Sequence, residues 1–79
     1  DGRRQIDEMQ QAVRTQDGEL LRRAAHTLKG AAATFGAQRL SQLARELENR
    51  ARAGQIEGNE DLIAQIAAEL EQVRLRLGI

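Results

Sequence analysis

Seventy-nine residues, with twelve basic and twelve acidic side chains cancelling, make a single small domain over 1–79 with one core. The balanced charge gives no global pull toward nucleic acid or an anionic membrane, no apolar run approaches the ~20 residues of a membrane span, and no signal-peptide pattern is visible. The absence of cysteine excludes disulfides and thiolate metal sites, while the absence of proline and the abundance of Ala, Leu, Arg, Glu and Gln predict an all-α chain.

Glycines punctuate the apolar periodicity, with Gly18, Gly36, Gly54 and Gly58 lying where helix ends are expected. The first helix is predicted over about Arg3 to Thr15, with Ile6, Met9 and Val13 inward; it is short and looks truncated. The second runs from an Asp17 N-cap to Thr34 or Phe35, with Gly36 as a left-handed stop. The third covers Ala37 to Ala53 and carries Leu40, Leu43, Ala44, Leu47 and Ala51 on one stripe. The fourth starts near an Asn59 cap, buries Leu62, Ile63, Ile66, Leu70, Val73 and Leu77, and has Arg74 and Arg76 in its last turn, where the helix dipole favours cations. Short connections between four amphipathic helices predict an antiparallel up-down bundle, with the second and third forming a tight hairpin at Gly36.

The stretch AAHTLKGAAATFG, residues 24–36, holds the chain's one histidine, one lysine and one aromatic residue. With about 100° per residue and Leu28 at the centre of the buried stripe, Leu21, Ala24, Ala32 and Phe35 fall within about 40° of it. His26 falls about 160° away, among Arg22, Arg23, Lys29, Gly30 and Ala33, so the imidazole is expected on an exposed cationic strip. Gly30 is the unusual choice there, because a glycine inside an exposed helix costs up to ~1 kcal/mol relative to alanine. Its missing side chain leaves room for something to approach the imidazole. One imidazole with no carboxylate one turn away on the same helix is a poor metal set, so no metal ligands are expected.

An exposed neutral imidazole is a nucleophile toward phosphorus, and phosphoryl transfer asks the protein mainly for position and positive charge. Lys29, with Arg22 and Arg23 nearby, supplies charge, but no Gly-rich phosphate loop or Asp cluster for Mg²⁺ is present. No autonomous catalysis and no ATP binding are expected; a partner must bring the donor and the metal.

The run AAHTLKGAAATFGAQRLSQLARELENRARAG closely resembles the histidine phosphotransfer (HPt) domains of bacterial multistep phosphorelays. The matching positions are His26, Leu28, Lys29 and Gly30, then Gly36 and Ala37, then Leu40, Leu43, Ala44, Leu47 and Glu48. The resemblance implies an HPt-like four-helix bundle in which His26 accepts the phosphoryl group through Nε2, Lys29 steadies its oxygens and Gly30 clears space for a receiver. Glu48 matches a position, Gln or Glu in the family, that can lie near the histidine across the hairpin; equally, it reads as a solvated residue beside Arg45 and Arg52. Arg22 and Arg23 read as electrostatic guides for docking rather than phosphate contacts.

The implied partners are response-regulator receiver domains, donor and acceptor, with Mg²⁺ supplied by the receiver and no cofactor, nucleic acid or direct membrane contact of the domain's own. The opening DGRRQI lacks an initiator methionine, which suits a segment of a longer protein: a C-terminal module of a hybrid sensor histidine kinase, cytoplasmic even where the parent is membrane-anchored. The alternative is the N-terminal phosphotransfer domain of a chemotaxis-type kinase, which carries a similar histidine run; a kinase dimerisation domain is disfavoured because no proline follows His26. A purely structural bundle accounts for everything except His26, Lys29 and Gly30.

Overall fold

A computed structural model describes residues 2–78. Four helices account for nearly all of them: α1 (Gly2–Thr15), α2 (Gly18–Thr34), α3 (Gln38–Arg52) and α4 (Glu60–Leu77). Each helix packs on its neighbours in the chain, and α4 returns to α1, which closes the ring of an up-down four-helix bundle. The α2–α3 contact is the most extensive. None of these helices is long and apolar enough to cross a membrane.

The turns follow from local chemistry. Asp17 caps α2, its Oδ1 accepting from the Leu20 amide at 3.0 Å. At the other end Gly36 sits at φ 71°, with its amide donating to the Ala33 carbonyl (3.1 Å) and that of Ala37 to Ala32 (2.8 Å). This paired capping needs a left-handed residue, and glycine adopts that conformation without a Cβ clash. The chain reverses within residues 35–37, so α3 is forced back along α2.

The core is aliphatic: Ile6, Met9 and Ala12 from α1, Leu21, Ala24, Ala25, Leu28 and Ala32 from α2, Leu40, Ala44, Leu47 and Ala51 from α3, and Leu62, Ile63, Ile66 and Val73 from α4. Val13, Leu43 and Leu70, expected inside, are half-buried at its margin. Phe35 and Leu77 depart further from expectation, Phe35 being 63 % exposed. Phe35 occupies the C-cap, beyond the last regular turn of α2, so helical extrapolation places it only nominally on the core stripe. It lies at the mouth of an apolar cavity of about 390 Å³, where the facing start of α1 offers Gly2 and Arg3 rather than apolar bulk.

Asn59 also corrects its expected role. It stands at the N-cap of α4, but its side chain makes no cap bond. Fully buried, it turns inward and donates from Nδ2 to the carbonyls of Gln55 (2.9 Å) and Ile56 (3.0 Å), while its Oδ1 accepts from Arg50 at 3.3 Å. The α3–α4 connection is therefore folded around an amide.

Candidate functional site

α2 carries His26 and Lys29 one turn apart on the face turned away from Leu28. The hairpin at Gly36 sets α3 antiparallel to α2, which brings Glu48 level with both. Glu48 Oε2 lies 2.8 Å from His26 Nδ1, and Glu48 Oε1 accepts from Lys29 Nζ at 2.6 Å. A third donor comes from within α3: Arg52, one turn on, gives Nη2–H to Oε2 at 3.1 Å. Of the two readings of Glu48 left open by the sequence, the structure selects the contact across the hairpin.

The burial of this group is asymmetric. Glu48 is 1 % exposed, whereas the His26 side chain is 60 % exposed. Burial of a carboxylate pushes its pKa up, but hydrogen bonds from Lys29 and His26, and their charge, outweigh that and hold Glu48 below the ordinary glutamate range. The carboxyl is then ionised at neutral pH and can only accept. A hydrogen bond to Oε2 therefore requires the proton of a neutral imidazole to sit on Nδ1, leaving the lone pair on Nε2. Because Nδ1 faces the buried oxygen, Nε2 is the nitrogen left to the exposed side.

Beside the imidazole the surface is bare. An added Cβ at Gly30 would meet no heavy atom within 4 Å. An open groove of about 650 Å³ continues from Lys29 and Gly30 past Ser41 and Gln42 to Arg45 on α3. Its floor is tied across the hairpin by Ser41 Oγ, which donates to the Lys29 carbonyl at 3.3 Å. Among the described residues no three His, Cys, Asp or Glu side chains gather as a metal site.

The structure thus brings three sequence-predicted residues, His26, Lys29 and Glu48, into one hydrogen-bonded group, with Gly30 as the clearing beside them. Lys29 is not a loose charge in solvent, as its place on the cationic strip suggests, but a partly buried partner of Glu48. Arg22 also departs from the expected open strip: it forks onto Glu19 through Nη2 (2.7 Å) and Nε (3.2 Å), which neutralises it locally. Arg52, placed beside Glu48 by the sequence only as a neighbour on a solvated face, instead joins the buried carboxylate. Its signal was its spacing, four residues after Glu48 on the same helix face.

The family comparison covers nearly the whole chain: the model described as "Hpt domain" matches residues 1–75. No curated protein and no solved structure matches it. With its four-helix bundle and a family match over residues 1–75, the chain belongs to the Hpt domain family, whose role is histidine phosphotransfer in phosphorelays.

Proposed function

We propose that this domain accepts a phosphoryl group on His26 Nε2 from a receiver domain's aspartyl phosphate and later donates it to another receiver's aspartate. The observation that carries this reading is the pairing of His26 Nδ1 with the buried Glu48 carboxylate at 2.8 Å while the imidazole remains 60 % exposed. The neutral ring needs no base to become nucleophilic, because its Nε2 lone pair is already free.

The step balances without a proton leaving. The Nε2–P bond forms as the acyl-phosphate P–O bond breaks, the receiver recovers its aspartate carboxylate, and the ring keeps its Nδ1 proton and becomes a phosphoimidazolium. Its new positive charge faces Glu48, so the carboxylate interacts more strongly with the product than with the starting ring. The same charge makes the imidazole a ready leaving group for onward transfer. Lys29, reaching from the same turn, steadies the phosphoryl oxygens, and the clearing at Gly30 admits the receiver. The receiver brings Mg²⁺; this domain supplies none of its ligands. The LARELENRARAG continuation favours a module of a hybrid sensor kinase as the parent context.

Incubation with a phosphorylated receiver should label the domain in an acid-labile, alkali-stable form, and His26→Gln should abolish the label. Equal labelling of the His26→Gln variant, or no transfer from any phosphorylated receiver, would refute the proposal.

A further inference from the structure

The Glu48 carboxylate holds more positive charge than a resting nucleophile needs. Its two oxygens receive donors from Lys29 on Oε1 and from both His26 and Arg52 on Oε2. Orienting the imidazole takes only the His26 bond. Lys29 gives one of its three N–H donors to Oε1 at 2.6 Å, and phosphoryl oxygens on Nε2, the ring nitrogen away from Glu48, would compete for the same ammonium. Drawing Lys29 toward the phosphoryl group weakens its hold on a carboxylate that is 1 % exposed before the ring has gained its full charge, and a poorly compensated buried charge is costly. Something has to hold Glu48 when Lys29 departs.

We propose that Arg52 is a positioning residue for phosphoryl transfer: by sharing Glu48 Oε2 with His26, it keeps the buried carboxylate compensated while Lys29 moves from Oε1 to the phosphoryl oxygens. The inference rests on the reading of His26 as the phosphoryl acceptor. Arg52 fits this role structurally. It ends α3, where the helix dipole favours a cation, and its side chain is 62 % exposed, so it contributes charge at the rim rather than packing in the core. It binds Oε2 whereas Lys29 binds Oε1, and it acts through the carboxylate without touching the phosphorus. The exchange leaves the carboxylate held by the phosphoimidazolium ring and Arg52, and transfers the lysine charge to the phosphoryl group. Without Arg52, Glu48 would hold Lys29 more tightly and loading would slow.

The chain's single lysine makes the exchange directly visible. In protein labelled with ¹⁵N-lysine, the one side-chain ammonium signal belongs to Lys29. Loading His26 with phosphoramidate, from which ammonia departs as the N–P bond is exchanged, should move that signal in the wild type. Arg52→Ala should load about three- to tenfold more slowly, the scale of losing one solvent-screened charge partner. Arg52→Lys should recover the wild-type rate to within about twofold, and adding Arg52→Ala to Lys29→Ala should change the rate less than about twofold, since both act through the same exchange. A wild-type loading rate in Arg52→Ala, failure of Arg52→Lys to rescue, additive effects in the double variant, or a Lys29 signal unmoved by phosphorylation would each overturn the positioning role while leaving His26 as the acceptor. Absence of phosphohistidine in the wild type itself would overturn the acceptor reading and this inference with it.

Discussion

Glu48 joins stability to chemistry at the scale of a single residue. Its carboxylate is ionised because the Lys29 and His26 bonds outweigh the burial that opposes ionisation. A folded-state pKa below the unfolded one means that the folded protein binds the proton less readily, so stability rises with pH through that window. The Glu48 contribution is therefore complete above the ordinary glutamate value of 4.5 and is lost as pH falls below it, through the depressed folded value. Glu48→Gln, near-isosteric but uncharged, should lose about 1–3 kcal/mol in urea unfolding at neutral pH. That gap should close as the pH is lowered and wild-type Glu48 takes up its proton. A gap that persisted undiminished well below pH 4.5, or no gap at neutral pH, would contradict the sign or the existence of the interaction.

Glu48 also marks where the sequence stopped being legible. A helix wheel places it beside the apolar stripe of α3, and one helix alone cannot say whether a flanking glutamate meets solvent or another helix. The answer depends on the depth of the α2–α3 contact, a tertiary quantity. His26 was readable because it lies almost opposite the stripe, a placement that no small error in helix orientation could reverse.

The element that matters most is α2, which serves two faces. Ala24, Leu28 and Ala32 build the core, while His26, Lys29 and Gly30 build the site. Gly30 separates the two demands. Its helical position has open space where a Cβ would stand, so folding alone would favour alanine. Gly30→Ala should raise stability by about 0.5–1 kcal/mol, measured by thermal or urea unfolding. Gly30→Leu should leave the fold intact but weaken receiver binding in titration, because the bulk stands one turn from the imidazole. A destabilised Gly30→Ala variant would mean that the glycine is structural; unchanged receiver affinity in Gly30→Leu would remove the clearance argument.

Helix ends were less legible than helix faces. Asp17 and Gly36 announced themselves through side-chain capping and a left-handed stop, both local effects. Phe35 and Asn59 did not. Phe35 keeps helical phase only nominally once the helix has stopped, and it stays exposed beside a cavity that the start of α1, with Gly2 and Arg3, leaves unfilled. Asn59 has the sequence signature of a cap, yet its side chain finds the Gln55 and Ile56 carbonyls of the preceding loop. In both cases distant or loop backbone decided between conformations that local pattern left equivalent.

The whole molecule behaves as a frame that holds one imidazole in one orientation. The ring of helices fixes α2 against α3, the short turn at Gly36 fixes their register, and that register sets the distance between His26 and Glu48. This frame, acting through Glu48, keeps the proton on Nδ1 and offers Nε2 for reaction. Because the chain has a single histidine, a long-range ¹H–¹⁵N spectrum of the intact protein contains one set of ring signals, and ¹⁵N–³¹P coupling after phosphorylation identifies the bonded nitrogen. The expected spectrum has a protonated Nδ1 and a free Nε2 before phosphorylation, with phosphorus coupled to Nε2 afterwards. A resting proton on Nε2, or phosphorus coupled to Nδ1, would contradict it.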